Sequence, residues 1–359
     1  DHSGYVPLMY VSGTCPVYAT APTFDLSRIL IEDMLRLERD THPFGLPEVN
    51  KMYSHAKRIN FKEKITHGES SFELRDSGHV VGGGTVLLES SGKKLFYTGD
   101  INVNGSRMLR EADLDIGEID LLITESTYSQ TEQMPRKESE EKFIEFANEV
   151  LDQKGTLFVP AFSVERSQEI ACILKNAKFK HKIIMDGMAL SVNEVLLRYP
   201  EYLRDYDVFA DAIENTVWVR THSERKRELS EPCVVISPAG MLVGGNAVFY
   251  LQELALNKNN GVALVSYQGE GTPGRRLLES GKISVQGRER KAEAQVRQFE
   301  FSGHSDRNAL FDLIKKIKGN PKVLTVHGDG NSCTKFAQEI NEKFGFDAHA
   351  PKMGDIIEI

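Results

Sequence analysis

Apolar positions along the chain recur in two rhythms, a period of two and a period near 3.6, and the switches between them mark the elements. A short run over 16–20 predicts a strand, followed by a helix over 24–39 with Thr23 as N-cap and a second helix over 48–57. A β-rich stretch comes next, with strands over 71–75, 85–89, 94–98 and 119–124. Ser91-Gly92 between two apolar runs is a hairpin signal. From about residue 136 the pattern becomes a regular alternation of helix and strand. Helices over 136–153, 165–176 and 247–256 interleave with strands over 156–159, 182–185 and 233–237. Residues 262–267 form a continuous apolar run suited to a strand buried on both faces. The tail predicts a strand over 298–301, a helix over 306–318, a strand over 322–326 and a helix over 332–344. This rhythm describes an α/β protein in which one β-rich domain is interrupted by an α/β insert with a mostly parallel sheet.

Composition narrows the class. With 359 residues, 40% hydrophobic and 27% charged, the chain can bury sizeable cores, which excludes a disordered tail, a collagen-like fibre or a small disulfide scaffold. The formal net charge of −8 means that a nucleic-acid partner would need a local basic patch. Nothing approaches the ~18 consecutive apolar residues of a membrane span, so no membrane partner is expected. The four cysteines, Cys15, Cys172, Cys233 and Cys333, form no CxxC pair and read as reduced thiols of a cytoplasmic protein. The chain opens on Asp1-His2-Ser3-Gly4 without an initiator Met, which reads as a start inside a longer protein.

The informative chemistry lies where His and Asp fall relative to the strands. Asp1-His2, His79, Asp100 and His327 each sit beside a glycine-bearing turn, at or near a strand end. Ligands at strand termini are held by a rigid sheet yet open to substrate, as a catalytic metal site requires. Taken singly, each has a structural reading: a capped or hydrogen-bonded histidine, or a plain Gly-Asp turn. Together, the glycine-flanked candidates and a carboxylate able to bridge two ions point to metal.

These segments carry a family resemblance. Asp1-His2-Ser3-Gly4 resembles the second half of the His-x-His-x-Asp-His signature of the metallo-β-lactamase fold. Gly78-His79-Val80-Val81-Gly82 resembles its third motif and Tyr97-Thr98-Gly99-Asp100 its fourth. Thr124-Glu125-Ser126-Thr127-Tyr128, Ser302-Gly303-His304-Ser305-Asp306 and Val326-His327-Gly328-Asp329 resemble the three motifs of the β-CASP branch, the nucleic-acid nucleases. Within that branch the set is similar to archaeal homologues of the endonuclease subunit of the cleavage and polyadenylation specificity factor. The implied fold is an αββα sandwich over 1–128, interrupted by a β-CASP domain over 129–302 and resumed over 303–359.

The resemblance also implies roles. Asp1, His2 and His327 would bind one metal ion, His79 the other, and Asp100 would bridge both. Asp1 would have a catalytic part as well. The two remaining histidines of the signature are absent from the chain, so two tightly held ions and full activity are not expected of these residues alone. Glu125 and His304 would stand beside the scissile phosphate without binding metal, the histidine giving a proton to the leaving oxygen. Two cations ~3.5–4 Å apart can clamp a phosphodiester and activate a water. Histidines and carboxylates suit two Zn²⁺, with Mn²⁺ as the alternative where oxygen ligands dominate. His327 at the last motif points to RNA, since DNA-repair members usually carry another residue there.

The insert, about 170 residues, is long enough for a domain of its own. Placed over the metal core it would form a cleft for single-stranded RNA. Its basic clusters are Arg225-Lys226-Arg227, Arg275-Arg276, and Arg288, Arg290, Lys291 and Arg297. A glycine-bearing turn opening a helix at Gly271-Thr272-Pro273-Gly274-Arg275-Arg276 suits a phosphate by dipole and charge. Ser237-Pro238-Ala239-Gly240-Met241, at the end of a buried strand, is a second candidate for backbone contact with substrate. The expected protein is a two-metal ribonuclease of RNA 3′-end processing or decay, endonucleolytic with or without 5′-to-3′ exonuclease activity. A homodimer and a place in an RNA-processing complex accompany that reading. The alternatives are a non-catalytic RNA-processing scaffold and a small-molecule metallo-hydrolase on the same fold.

Overall fold

The computed structural model describes residues 6, 15–37 and 42–359. It divides into two compact units, one of residues 1–132 with 303–359 and the other of residues 133–302.

The first unit opens with β1 (Val17–Ala19), α1 (Ala21–Leu37), α2 (Leu46–Ser54) and β2 (Ala56–Arg58), with β1 and β2 pairing in parallel. Helix α1 begins ahead of the expected Thr23 cap. Pro22 fits a first turn because that turn has no use for its missing N–H, and the Thr20 hydroxyl accepts from Thr23 N at 3.4 Å. Helix α2 starts and stops earlier than its periodicity suggests. The Glu48 carboxylate accepts from Gly45 N at 2.8 Å to close the first turn, and residues 56–58 are claimed by the β1 pairing.

β3 (Ile65–His67), β4 (Ser70–Asp76), β5 (Gly84–Ser90), β6 (Lys93–Tyr97) and β7 (Leu121–Glu125) follow. They join two later strands in a seven-stranded sheet. β3 to β6 run antiparallel, whereas β7 lies parallel to β6. Ser91 and Gly92 both hold positive φ, the conformation of a tight two-residue hairpin.

The second unit contains α3 (Arg136–Asp152), β8 (Leu157–Pro160), α4 (Arg166–Asn176), β9 (Ile183–Asp186), α5 (Met188–Leu196), α6 (Tyr206–Glu214), β10 (Val217–Val219) and α7 (His222–Glu228). It continues with β11 (Val234–Ser237), α8 (Gly245–Leu254), β12 (Gly261–Leu264), α9 (Pro273–Ser280), the hairpin β13 (Lys282–Val285) and β14 (Arg288–Lys291), and β15 (Gln295–Gln298). Six of these strands form one sheet in the order β10-β9-β11-β8-β12-β15, and every pairing in it is parallel. All four residues of β8, β9, β11 and β12 are buried, as a sheet covered on both faces requires.

Two strands depart from their sequence positions. β12 ends at Leu264, although the apolar run continues. β15 lies three residues before the expected 298–301, because Phe299 and Phe301 pack edge-on against Phe143 instead of entering the ladder. β14, with the sequence Arg-Glu-Arg-Lys, carries no apolar alternation to reveal it.

The chain then returns to the first unit with α10 (Arg307–Lys316), β16 (Lys322–Val326), α11 (Ser332–Phe344) and β17 (Ala348–His349). β16 pairs in parallel with β7 and with β17. Leu87, Phe96, Leu122 and Val323 from the sheet pack with Leu310, Leu313 and Ile314 of α10 and Phe336 and Ile340 of α11 in one buried cluster. That core fixes β6, β7 and β16 side by side, and their carboxyl ends lead into the candidate residues Asp100, Glu125 and His327.

Candidate metal and acid–base centre

Three parallel neighbours deliver three of the candidate residues to one edge. Asp100 follows β6 after a Thr98-Gly99 turn, Glu125 is the last residue of β7, and His327 follows β16 directly. The register opposes Val326 to Glu125 and Tyr97 to Ile123, so the three strand ends are level. The β4–β5 turn lies at the same end of the sheet, because β4 and β5 are antiparallel, and it carries His79.

That turn is built around glycine. Gly78 has φ +65°, and a Cβ there would stand 2.5 Å from the Asn102 carbonyl oxygen and 2.9 Å from Ala112 N. Asp76 accepts from Gly78 N at 2.9 Å and the Ser77 hydroxyl from His79 N at 3.3 Å, which fixes the backbone entering His79. His79 Nδ1 donates to the Gly303 carbonyl oxygen at 2.8 Å. This bond selects the tautomer with a lone pair on Nε2, the arrangement of a metal-ligating histidine. Nε2 lies 3.7 Å from Asp100 Oδ2. Burial, with the His304 ring beside it, holds His79 below the ordinary imidazole range.

The other carboxylate oxygen of Asp100, Oδ1, faces His327 Nε2 at 3.4 Å. One carboxylate thus presents a different oxygen to each of two imidazoles. His327 has φ +51°, and its carbonyl oxygen accepts from Ser126 N and Thr127 Oγ1, which ties the turn to the end of β7.

Glu125 is 1% exposed. Its two oxygens receive His304 Nδ1 at 3.0 and 2.9 Å, and Oε1 also accepts from Ile101 N at 2.7 Å. A single buried acid therefore holds both His304 and the loop that carries Asp100. Ser305 strengthens the same loop, donating to Ile101 O at 2.9 Å and accepting from Val103 N at 3.1 Å. The His304 ring lies 4.5 Å from that of His79, 6.3 Å from that of His327, and edge-on to Tyr128 at 6.0 Å.

The donor set suits a divalent cation. His79, Asp100 and His304 offer one ligand atom each within 4.8 Å of one another. The structure thus brings His79, Asp100, Glu125, His304 and His327 together. Asp1 and His2 lie outside the described residues. Sequence reasoning missed the Gly303 carbonyl and the Ile101 amide, since backbone groups carry no residue-type signal.

In the second unit the substrate-contact candidates fall into one neighbourhood at the carboxyl ends of β11 and β12. Ser237 is buried, with its hydroxyl turned to the Pro238 carbonyl oxygen. Gln268 donates to the Gly240 carbonyl oxygen at 3.0 Å, and Gly274 N donates to Met241 O at 3.1 Å, joining the Gly240 turn to the first turn of α9. A Cβ on Gly274 would stand 1.7 Å from Gln268 Oε1, so this approach requires glycine. Thr272 caps α9 by accepting from Arg275 N at 3.3 Å. Arg275 is paired to Glu279 on the helix surface, and Arg276 is exposed. Arg225, part of a basic run in the sequence, turns inward. It makes bonds of 2.5 and 3.1 Å to the buried Asp186, which also receives Tyr250 Oη and Asn246 Nδ2.

Domain models agree with this picture. Residues 2–128 match a metallo-β-lactamase superfamily domain, residues 167–277 a β-CASP domain, and residues 290–351 a Zn-dependent metallo-hydrolase RNA specificity domain. The chain belongs to the β-CASP branch of the metallo-β-lactamase superfamily, a family of metal-dependent hydrolases. It is similar to the RNase aCSPSF2 of Saccharolobus solfataricus, 32% identical over 361 residues, covering 100% of this chain and 73% of that protein. A probable RNase MJ4 of Methanocaldococcus jannaschii is 32% identical over 371 residues, covering 100% of this chain and 86% of the relative. The transcription termination factor FttA of Pyrococcus abyssi is 30% identical over 395 residues, and this chain spans 60% of its length. No described helix is long and apolar enough to cross a membrane.

Proposed function

We propose that this protein is a metal-dependent ribonuclease that hydrolyses phosphodiester bonds of single-stranded RNA in 3′-end processing or decay. The observation that carries the reading is Asp100, whose two oxygens face His79 Nε2 and His327 Nε2 at 3.7 and 3.4 Å beside the Glu125–His304 pair. RNA as substrate follows from membership of this family, in which relatives are named ribonucleases.

His79, Asp100 and His327 would hold the metal, together with Asp1 and His2. Two Zn²⁺ fit this nitrogen and carboxylate set, with Mn²⁺ as the alternative. When bound, such ions act as Lewis acids on a phosphoryl oxygen and bring the pKa of water toward neutrality.

The chain's own residues supply the proton. The Glu125 carboxylate on Nδ1 would favour the imidazolium form of His304, with Nε2–H as the proton to give. The 5′-side alkoxide or 3′-side alkoxide released on cleavage is a poor leaving group, and His304 protonates it as it departs. Glu125 holds the ring through Nδ1 and would stabilise it when charged. A second reading, His304 as a metal ligand, is favoured by its place within 4.8 Å of the His79 and Asp100 donor atoms.

Ser237 and Gly240, at the buried strand end, and Arg275 and Arg276, at the helix start, are assigned to substrate contact. A homodimer, a place in an RNA-processing complex and a cytoplasmic location complete the reading. The test is cleavage of end-labelled single-stranded RNA before and after chelation. Loss of cutting on chelation and its return with Zn²⁺ or Mn²⁺ supports the proposal, while cutting that survives complete metal removal refutes it.

A further inference from the structure

The basic clusters of the second unit do not share one fate. Arg225 is consumed by Asp186, Arg227 by Glu228, Arg275 by Glu279, and Arg297 by Glu149 and the face of Phe146. Arg288, Arg290 and Lys291 of β14 make no ion pair among the described residues, and all four residues of β14 are exposed.

The hairpin that carries them is anchored at its first strand. Ile283 of β13 is buried in the core formed by α8, α9 and the parallel sheet. The connection through Gln286 and Gly287 has positive φ at both residues, the turn whose twist matches paired strands. The register sets Ile283 opposite Arg290, Val285 opposite Arg288, and Lys282 opposite Lys291. Like charges directly opposed across a strand pair are destabilising, and Lys282 relieves the clash with a 2.6 Å bridge to Glu289 that leaves Lys291 unpaired. Arg276 of α9 adds its field to the same place, lowering the Glu289 carboxyl after Lys282 does so. Exposed cations at three of the four positions of β14 stand out in a chain of net charge −8.

We propose that the β13–β14 hairpin is an accessory clamp for the phosphodiester backbone of single-stranded RNA, with Arg288, Arg290 and Lys291 as its cations. Arg288 and Arg290 share one face of β14 and stand roughly 6.8 Å apart, comparable to the step between successive phosphates of an extended strand, while Lys291 stands on the opposite face with Glu289 and Lys282. The contacts are to phosphate and therefore independent of base sequence. The clamp rests on the ribonuclease reading for the identity of its ligand, but it uses none of the metal-site residues.

The test is fluorescence-anisotropy titration of a long single-stranded RNA with chelated protein across a salt series, comparing wild type with Arg288→Gln/Arg290→Gln/Lys291→Gln. Each phosphate contact with a single strand contributes about 0.7 to the slope of log K against log salt, so the triple variant should lose about 2 in slope. Its affinity near physiological salt should fall about tenfold or more. Its melting temperature should hold or rise, because the opposition of Lys282 and Lys291 is gone. The charge-preserving Arg288→Lys/Arg290→Lys variant should keep the slope. An unchanged slope and affinity in the triple variant overturns the clamp. So does a loss confined to binding of poly-glutamate, which would make the hairpin a protein-docking surface. Wild-type protein that does not cut RNA, in a pair that still shows the slope loss, supports the clamp and overturns only the ribonuclease reading.

Discussion

Both carboxylate oxygens of Glu125 lie within 3.0 Å of His304 Nδ1, and the Glu125 side chain is almost fully buried. Burial of an acid is costly unless its oxygens are satisfied, and here His304 Nδ1 and Ile101 N satisfy them. The pair fixes the His304 ring beside those of His79 and His327. The bond from Ile101 N to the same carboxylate means that displacing Glu125 also disturbs the Asp100 loop.

Two substitutions separate acid chemistry from metal binding. Glu125→Gln retains an oxygen for Ile101 N but cannot balance an imidazolium, and His304→Ala removes the proton. Each should lower kcat by on the order of 10²–10⁴ with bound metal unchanged. Single-turnover cleavage and elemental analysis read the two quantities separately. Metal lost from His304→Ala would make the histidine a ligand.

Gly78→Ala tests whether the His79 turn is built on glycine. The position combines φ +65° with carbonyl and amide neighbours that a Cβ would meet at 2.5 and 2.9 Å. Strain of this kind costs on the order of 1–3 kcal/mol. Thermal unfolding should shift down accordingly, and metal affinity should fall with it because Nε2 of His79 is displaced. A variant with wild-type melting and metal retention would show that the turn adapts freely.

Asp76 supplies a pH dependence. Burial pushes its carboxyl up to about 6 from an ordinary 3.8, against the bond from Gly78 N and the charge of Arg110. As pH rises the unfolded carboxyl loses its proton first, so the folded state binds more protons between about pH 4 and 6. Stability contributed by this group is thus present at low pH, lost across that window and level above it. Asp76→Asn keeps an acceptor for Gly78 N without the charge. It should match wild type near pH 4 and exceed it above pH 6, by on the order of 1–3 kcal/mol. Denaturant unfolding across the range checks this, and a difference that does not vary with pH would contradict it.

Much of the fold was legible because its strands obey simple rules. The buried runs at β8, β9 and β11 and the Ser91-Gly92 turn announce themselves by composition. β14 and β15 were not legible in the same way. An exposed Arg-Glu-Arg-Lys segment has no alternation, and Phe299 and Phe301 mimic strand residues while packing on Phe143. The candidate site divides similarly. Glycine-flanked His79, Asp100 and His327 stand out as residue types, whereas the tautomer of His79 depends on the Gly303 carbonyl, 224 residues away in sequence. Basic runs were the least legible, since only contacts distinguish Arg225, folded onto Asp186, from Arg288, which makes no ion pair among the described residues.

The central claim is that Asp100 joins two ligand groups into one hydrolytic metal centre. Its most direct test is cleavage of end-labelled single-stranded RNA, in the presence of Zn²⁺ or Mn²⁺, by Asp100→Ala beside wild type. The account predicts that the variant loses bound metal and that cleavage falls by at least about 10²-fold. An Asp100→Ala protein that cuts RNA as fast as wild type would contradict it.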